Sequence, residues 1–460
     1  MKLIPKFKYY VFLYFSIFTF ILSFITINIY AQAISTLDSE GIQDTLLKLP
    51  EKVGLNNDWW YLYENDPVNE ITTLQCVIKG GKKSVSSSLR GLVFLTVHLS
   101  LEMPSPIELM ELMHIGSRYS YSFEGDYSII TIEALSKNFE NTIRIISRII
   151  KNPIFSDIRI DSLKNYMLER QKVEEDTPEF IMEKKFRDVF FGEDQYGYAG
   201  SNYGDKESVK KIRRKDIVQF HKEFFTRSNI TITVSSNLEK NEITPIVEKY
   251  FGSFPAGSPI EFPIIKIEEP KEKTISIYKE NRQILIALGI LLPPVSPQST
   301  TRAYIIDEIL GKGIGSKLWK LRAVDELSYN LNTRVQQFKD CGMLLVYLKT
   351  DISKKVPAQD ALKGIINEIR EIGVSLEELN SAAEMVKADM LVYNETRARR
   401  TSNIAFFETI GLGYQFIQTF FQEVDKVSKD KEGFNQYLKQ ILTPEKIVEI
   451  LVGPDNTTHE

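Results

Sequence analysis

The residues whose spacing could support metal chemistry lie in the stretch Gly91-Leu92-Val93-Phe94-Leu95-Thr96-Val97-His98. On a helix, Phe94, Val97 and His98 are three and four residues apart and share one face. At this spacing an H-x-x-E-H helix presents two histidines to zinc and a glutamate to water. Only His98 remains, because phenylalanine and valine neither bind a metal nor accept a proton. We therefore interpret His98 as a packed or surface histidine and predict no metal site in this chain.

The other histidines and the cysteines supply no alternative metal motif. His114, His221 and His459 include no pair at three- or four-residue spacing. Cys76 and Cys341 lie in different halves of the chain, each within or beside an apolar, strand-like run. We predict two free thiols, because a disulfide would have to join the two halves.

The composition is that of an ordinary globular protein, with 460 residues, 43% of them hydrophobic and 26% charged. The formal net charge is −4, and removing the three leader lysines Lys2, Lys6 and Lys8 would lower it to −7. An acidic balance without a recurring Lys/Arg stripe argues against nucleic-acid binding. We interpret two short basic clusters as solvated helix faces: Arg213-Arg214-Lys215 and the group Arg397, Arg399 and Arg400.

Residues 1–33 form a separate N-terminal unit. Basic residues stop at Lys8, an apolar run covers residues 9–29, and Ala31-Gln32-Ala33 is a small-x-small site of the kind that signal peptidase cuts. The apolar run is also nearly long enough to span a bilayer. The unit is either a cleaved signal peptide or an uncleaved membrane anchor. In both cases we expect the body to be exported, periplasmic if the leader is cleaved and anchored to the inner membrane if it is not.

The elements that would position these residues occur twice, which predicts an α+β fold. Strand patterns at residues 59–63 and 71–78 precede the Phe94 helix, and a long helical region at 160–191 is broken near Pro178. Prolines and a Gly-Ser pair indicate a linker at residues 253–272. The second half repeats this order, so we predict lobes at residues 50–252 and 273–460. We also expect a short helix at Ile447-Val448, matching Ile217-Val218 at an offset of 230, and a second lobe that lacks its last strand.

From about Asp58 to the C-terminus, the chain resembles the insulinase and mitochondrial-processing-peptidase (M16) family of zinc peptidases. In this family the metal-binding helix usually has the sequence Gly-Leu-Ala-His-Phe-Leu-Glu-His, and Gly91, Leu92 and His98 match it. Its first histidine falls on Phe94, its glutamate on Val97 and its third ligand near Arg170, with Glu169 and Glu174 interpreted as a solvated helix face. The resemblance implies two homologous lobes, each an antiparallel-rich sheet covered by helices.

A second stretch carries the resemblance in the C-terminal half. It runs from Gly313-Ile314-Gly315-Ser316-Lys317-Leu318-Trp319 to Tyr329, and Leu321, Arg322, Leu327 and Tyr329 match the family's Leu-Arg-Glu-Lys-x-Gly-Leu-Ala-Tyr. Lys317, Ala323 and Glu326 depart from it. In two-component members one subunit carries zinc and the other supplies this Arg/Tyr pair, whose donors can hold a peptide carbonyl and stabilise the oxyanion. From residue types alone, Arg322 could instead pair with Asp325 while Tyr329 packs in a strand.

The resemblance therefore implies a function without catalytic residues in this chain. We expect an exported non-catalytic subunit that forms a heterodimer with a zinc-bearing M16 paralogue, binds peptide substrate through Arg322 and Tyr329, and leaves cleavage to the partner. The zinc cofactor is expected in the partner alone, and activity of this chain by itself is not expected. The alternative is a purely structural or binding M16-like protein with no role in proteolysis, similar to the peptidase-derived core proteins of respiratory complexes.

Overall fold

Two mixed β-sheets form the framework of the protein, seen in a computed structural model that describes residues 48–56, 58–192, 197–262, 264–265, 267, 270–313, 315–323, 325–328 and 330–454. The first sheet contains Glu51–Leu55 (β1), Trp59–Asn65 (β2), Ile71–Ile78 (β3), Arg118–Phe123 (β4), Ser128–Leu135 (β5) and Ile230–Ser236 (β6). The second contains Thr274–Tyr278 (β7), Gln283–Leu292 (β8), Asn330–Gln337 (β9), Gly342–Asp351 (β10) and Ile447–Gly453 (β11). Their orders are β1-β2-β6-β3-β5-β4 and β7-β11-β8-β10-β9.

Apart from β1, the two sheets have the same topology. In each, the first strand pairs in parallel with the last (β2 with β6, β7 with β11), and all other neighbours are antiparallel. The predicted α+β fold with two related lobes is thereby confirmed. The same strand order, with one parallel pair at the same place, occurs in both sheets. This agreement indicates that the chain contains a duplicated unit.

The predicted register of the repeat is wrong. Ile447–Gly453 is the last strand of the second sheet and pairs with both β7 and β8, whereas a helix and a missing strand were expected there. Ile230 and Ile447 are equivalent, 217 residues apart, and each follows a short 3-10 turn, Arg227–Asn229 or Pro444–Lys446. The error has a physical reason, because a short apolar run is compatible with either a buried strand or a buried helix.

Fifteen α-helices cover the sheets in the described part of the chain. The first half contains Leu92–Leu99 (α1), Pro106–His114 (α2), Phe139–Lys151 (α3), Asp157–Asp176 (α4), Pro178–Phe191 (α5), Lys206–Lys211 (α6), Arg214–Phe224 (α7) and Lys240–Tyr250 (α8). The second contains Pro297–Gly311 (α9), Trp319–Ala323 (α10), Lys355–Ile372 (α11), Leu376–Tyr393 (α12), Arg397–Ile410 (α13), Phe416–Lys429 (α14) and Lys431–Ile441 (α15). Neither β1 nor α8 was predicted; Pro245 inside α8 is a residue that normally argues against a helix interior.

Each half contributes one helix to the other half's sheet. Helix α5 belongs to the first half by sequence, but Met182, Phe186 and Phe190 pack into the core of the second sheet. Gly289 on β8 makes room for it, because a Cβ there would lie 2.4 Å from the Phe186 ring. Helix α13 of the second half lies in turn against β3 and β6. The two sequence halves are therefore interlocked, and residues 49–460 form one structural unit.

Two arginines of α13 hold this exchange in place. Arg400 Nε lies 2.7 Å from Glu64 Oε1 and its Nη2 lies 2.6 Å from Asp66 Oδ2, while Arg397 Nε lies 2.9 Å from Asp66 Oδ2. Arg397 and Arg400 are 6% and 4% exposed, so the prediction that they form a solvated face is wrong. Only Arg399 of that group is exposed, because α13 turns its other arginines towards the acids at the end of β2.

The predicted leader, residues 1–33, lies outside the described residues. Within the described part of the chain, no helix combines the length and apolar character needed to cross a bilayer. Cys76 and Cys341 are buried free thiols, as expected.

Candidate functional site

Helix α1 carries the remnant of the zinc motif and is buried along almost its whole length. Gly91 precedes it with φ of +94°, a conformation that favours glycine, and a Cβ there would lie 2.6 Å from Met167 Cε of α4. Within α1, His98 alone is partly exposed. The helix is thus placed by close packing against α4, the helix to which the family resemblance assigns the third ligand position.

Aromatic side chains fill the space at the first ligand position. The Phe94 ring is 4% exposed, and its centre lies 5.2 Å from that of Phe123, 6.2 Å from Tyr166 and 4.9 Å from Tyr203. We call Phe94, Phe123, Tyr166 and Tyr203 the aromatic cluster. Edge-to-face and stacked pairs at these distances are favourable beyond simple burial. The position therefore has a packing role that a histidine would serve poorly.

His98 is committed to a hydrogen bond within the protein. Its Nδ1 is paired with the Tyr121 hydroxyl, and its ring lies 5.7 Å from that of Phe94. Burial lowers the pKa of His98; the nearby Glu102 raises it and Arg159 lowers it further, and the net shift is downward. His98 is therefore a neutral, packed imidazole at pH 7, in agreement with the sequence-based interpretation.

The position of the glutamate base, Val97, and the third ligand position, near Arg170, do not fit zinc chemistry. Val97 is 1% exposed, and the guanidinium carbon of Arg170 lies 5.7 Å from the centre of the Tyr203 ring. The neighbouring acids are used elsewhere: Glu169 pairs with Lys172, and Glu174 accepts a hydrogen bond from Ser201. No group of three or more His, Cys, Asp or Glu side chains among the described residues could hold a metal ion. An aromatic ring and a cation replace two of the zinc ligands, and a hydrocarbon replaces the glutamate that acts on water.

A cavity of about 520 Å³ opens beside His98. Tyr119 and Tyr121 of β4 line it, together with the ion pair in which Arg159 Nε donates to Glu102 Oε1 at 2.6 Å, and several apolar side chains including Leu109 and Ile154. Strand β4 is the edge of its sheet, so one side of its backbone has no partner strand in the described structure. An unpaired edge next to a cavity is an arrangement that can bind an extended peptide.

Arg322 is exposed on the short helix α10. Its guanidinium carbon lies 5.1 Å from the centre of the Trp319 ring. In the described part of the chain it forms no ion pair, so the alternative pairing with Asp325 is not observed. Tyr329 lies outside the described residues, and its position near Arg322 stays a prediction.

Among the described residues around Arg322, Glu326 is strained. Glu326, which stands where the family has glycine, has φ of +50°. A left-handed conformation costs a side-chain-bearing residue about 1–2 kcal/mol. The backbone is nevertheless fixed, because Leu327 N donates to Leu321 O at 2.9 Å and Thr350 Oγ1 donates to Leu327 O at 2.6 Å. The loop therefore keeps a glycine-type turn although it lacks the glycine.

Sequence reasoning missed the partners of Phe94. Phe123, Tyr166 and Tyr203 come from β4, α4 and the segment before α6, so no local pattern joins them. One signal was available: Tyr166 is four residues before Arg170 and therefore lies on the helix face to which the third ligand position was assigned.

Comparisons with known proteins show which sequences the chain is similar to. Residues 211–386 match the family described as the Peptidase M16 inactive domain. The chain is 21% identical over 384 residues to "Non-peptidase homolog YmxG" of Helicobacter pylori, covering 82% of this chain and 88% of that protein. It is 19% identical over 401 residues to "Uncharacterized zinc protease YmxG" of Bacillus subtilis, covering 85% and 96%. A weaker relative is a probable mitochondrial-processing peptidase subunit beta of Arabidopsis thaliana, 23% identical over 304 residues, covering 62% of this chain and 55% of that protein.

A solved structure shares the fold over most of the chain. The peptidase M16 inactive domain from Pseudomonas fluorescens superposes with a TM-score of 0.80 at 16% identity, covering 88% of this chain and 98% of that one. Residues 211–386 therefore match the M16 inactive domain, and over most of its length the chain is similar in sequence and fold to M16 proteins, among them one named as a non-peptidase homolog.

Proposed function

We propose that the chain is an exported, non-catalytic subunit of a two-component M16-type zinc metallopeptidase. Its partner would be a zinc-bearing M16 paralogue that cleaves peptides, and the zinc would belong to that partner. One observation carries the proposal. Phe94 and Arg170 occupy metal-ligand positions and the packed Val97 occupies the position of the catalytic glutamate, whereas Arg322 of the family's Arg/Tyr pair remains exposed without an ion pair in the described structure.

The proposed role of Arg322 follows from its surroundings. A guanidinium presents five N–H donors, and the Arg322 side chain, which contacts the Trp319 ring, donates no hydrogen bond to a described residue. Tyr329 would add a phenol donor. Two such donors can hold a substrate carbonyl and stabilise the negative charge that develops on its oxygen when the partner's catalytic group attacks. Removing one donor of this kind costs about 10²–10³-fold in kcat.

The first half offers a surface for the substrate. An extended peptide that paired with the free edge of β4 would direct alternate side chains towards the cavity beside His98. Leu109 and Ile154 would contact apolar side chains, and the Glu102–Arg159 pair could exchange partners with a charged one. This surface would bind peptide in the absence of zinc, which suits a subunit that holds substrate for another.

The decisive experiment is to purify the chain with an H-x-x-E-H paralogue encoded in the same genome and to measure cleavage of a fluorogenic peptide. We expect Arg322→Ala to lower kcat about 100-fold while the complex still assembles, with Tyr329→Phe lowering it in the same direction. Arg282→Ala is the matched control, because Arg282 is also exposed and its side chain makes no ion pair in the described structure. An Arg322→Ala complex that assembles and cleaves at the control rate would refute the proposed role.

A purely structural or binding function is the second candidate, and the strained turn favours it. Glu326 in a left-handed conformation, with Ala323 and Lys317 also departing from the family pattern, weakens the case for finely placed donors. This function predicts assembly with a partner and no effect of Arg322→Ala or Tyr329→Phe on cleavage. Fractionation of cells, with the N-terminus of the exported protein sequenced, distinguishes a cleaved leader from an anchor.

A further inference from the structure

A second cavity, of about 500 Å³, lies among helices α9, α12, α13 and α14, on the other half of the protein from His98. Five aromatic side chains line it: Tyr127, Tyr304, Tyr393, Phe406 and Phe420. Tyr127 comes from the turn before β5 of the first half, and the other four come from the second. We call this the tyrosine cavity. Its volume lies within the range of small-molecule sites in proteins, about 300–1,000 Å³.

The walls of the tyrosine cavity are held by ring contacts. The Tyr127 ring lies 5.5 Å from that of Phe406, and the Tyr304 ring lies 6.0 Å from that of Phe420 in an edge-to-face arrangement. Tyr127 also packs with Val77 and Ala405, which belong to opposite halves. Rings fixed in this way form a preformed surface against which a flat apolar group can stack with little loss of conformational entropy.

Phenol groups supply free hydrogen-bond donors in the cavity. The hydroxyls of Tyr127 and Tyr304 have no hydrogen-bond partner among the described residues. Burial, followed by the neighbouring Tyr393 and Asp307, raises the pKa of Tyr304 to about 12. Burial and nearby acidic groups, Glu124 first, likewise raise the pKa of Tyr127. Both phenols therefore keep their protons at neutral pH and can donate to an acceptor on a ligand.

The charges of the cavity leave one cation without a counter-ion. Lys312 Nζ is surrounded by carboxylates, 3.2 Å from Asp389, 3.4 Å from Asp307 and 3.9 Å from Glu308. Arg399 stacks on Tyr393 at 5.4 Å and forms no ion pair in the described part of the chain. An anionic group would thus be attracted to Arg399 and repelled from the acidic surroundings of Lys312, which fixes the orientation of a ligand.

We propose that the tyrosine cavity binds a small aromatic carboxylate, with its ring system between the aromatic walls and its carboxylate on Arg399. A neutral apolar molecule would leave the two phenol donors unpaired, and an aromatic cation would place its charge beside Arg399. A carboxylate satisfies both the guanidinium and a phenol with charge-assisted hydrogen bonds. This inference does not depend on the proposed role in peptide cleavage.

Calorimetric titration of the purified chain with 2-naphthoate, its uncharged amide 2-naphthamide and the cation 2-naphthylmethylammonium tests the proposal. We expect saturable binding of naphthoate, about 10-fold weaker binding of the amide and weaker binding still of the cation. Arg399→Gln should lower the naphthoate affinity to that of the amide and leave the amide unchanged. Tyr304→Phe, which removes only a hydroxyl, should weaken naphthoate. Arg213→Gln, at the residue before α7, is the control, because that arginine is exposed on the other half.

The outcomes separate cleanly. Absence of saturable naphthoate binding to the folded wild-type chain would overturn the proposal, as would an Arg399→Gln chain that binds naphthoate as tightly as the Arg213→Gln control. Tighter binding of the cation than of naphthoate would show that the acids around Lys312 dominate, which also overturns it. Circular dichroism of each variant verifies that the fold is intact, and Tyr304→Phe provides a second readout if Arg399→Gln is poorly folded.

Discussion

Replacing Phe94 by alanine tests whether the aromatic cluster has become a structural substitute for the metal site. Phe94 is 4% exposed, and its three partners in the aromatic cluster come from β4, α4 and the segment before α6. Removing a buried phenylalanine costs about 3–5 kcal/mol, of which part is the cavity left behind. We expect the upper half of that range, because three rings fixed by separate elements cannot close the space together. Phe94→Leu, which keeps most of the apolar volume, should cost about 1–2 kcal/mol.

The assay is denaturation by urea, monitored by circular dichroism and tryptophan fluorescence. Free energies of unfolding are compared between variants for which the free energy depends on urea concentration with the same slope. Two of the three tryptophans, Trp59 and Trp60, lie in β2 of the affected half, so their fluorescence reports on it. Ile158→Ala is the matched control, because Ile158 is 82% exposed on α4 and its truncation should change stability by less than about 0.5 kcal/mol.

Phe94→His sharpens the test, since it restores the residue type that the family uses to bind zinc. We expect it to lower stability and to give no zinc-dependent stabilisation, because Arg170, a cation, stands at the third ligand position and no group of three or more His, Cys, Asp or Glu side chains among the described residues could hold a metal ion. A Phe94→Ala chain within about 1 kcal/mol of the wild type would refute the structural role of the cluster. Stoichiometric zinc in the Phe94→His chain would refute the statement that its surroundings do not fit the metal.

Two further predictions concern the charges at other positions. Arg400→Met should lower stability by about 3–5 kcal/mol in the same urea assay, because it leaves the buried Glu64 and the nearby Asp66 with less compensation, whereas the exposed control Arg213→Met should be close to neutral. Burial raises the pKa of Glu308 from 4.5 to about 7. The neighbouring acids add to this increase, and Lys312 opposes it. The folded chain therefore binds the proton more tightly than the unfolded chain, and this contribution to stability is lost as the pH rises from about 4.5 to about 7; Glu308→Gln should remove that part of the pH dependence.

Local elements could be predicted from the sequence where local chemistry specifies them. The break at Pro178 separates α4 from α5 as expected, and Ser105 and Ser375 cap their helices through their side chains. The loss of metal ligands was also evident, because residue type alone decides whether a side chain can bind zinc. These predictions required only neighbours within one helical turn.

Features that depend on contacts between distant residues could not be predicted from the local sequence. Nothing near α5 indicates that Phe186 packs against Gly289, and nothing near Arg400 indicates that Glu64 is its partner, 336 residues away. For this reason the group Arg397, Arg399 and Arg400 was predicted to be a solvated helix face. The aromatic cluster has the same character, since its rings meet only after β4, α4 and the segment before α6 have assembled. Tertiary contacts, not local propensity, decide these positions.

The residues that match the family motifs differ in whether they indicate a function or only a role in packing. Gly91 is required by packing alone, because its φ is +94° and a Cβ would meet Met167 and the carbonyl group of Tyr203. Leu92 is buried, so its identity is also explained by the fold. Both would remain in a chain that had lost every catalytic function. Arg322 is different, since it is exposed, and the contact with Trp319 could be made by many side chains. The case for a role in peptide binding therefore rests on Arg322, and not on the better-matched start of α1.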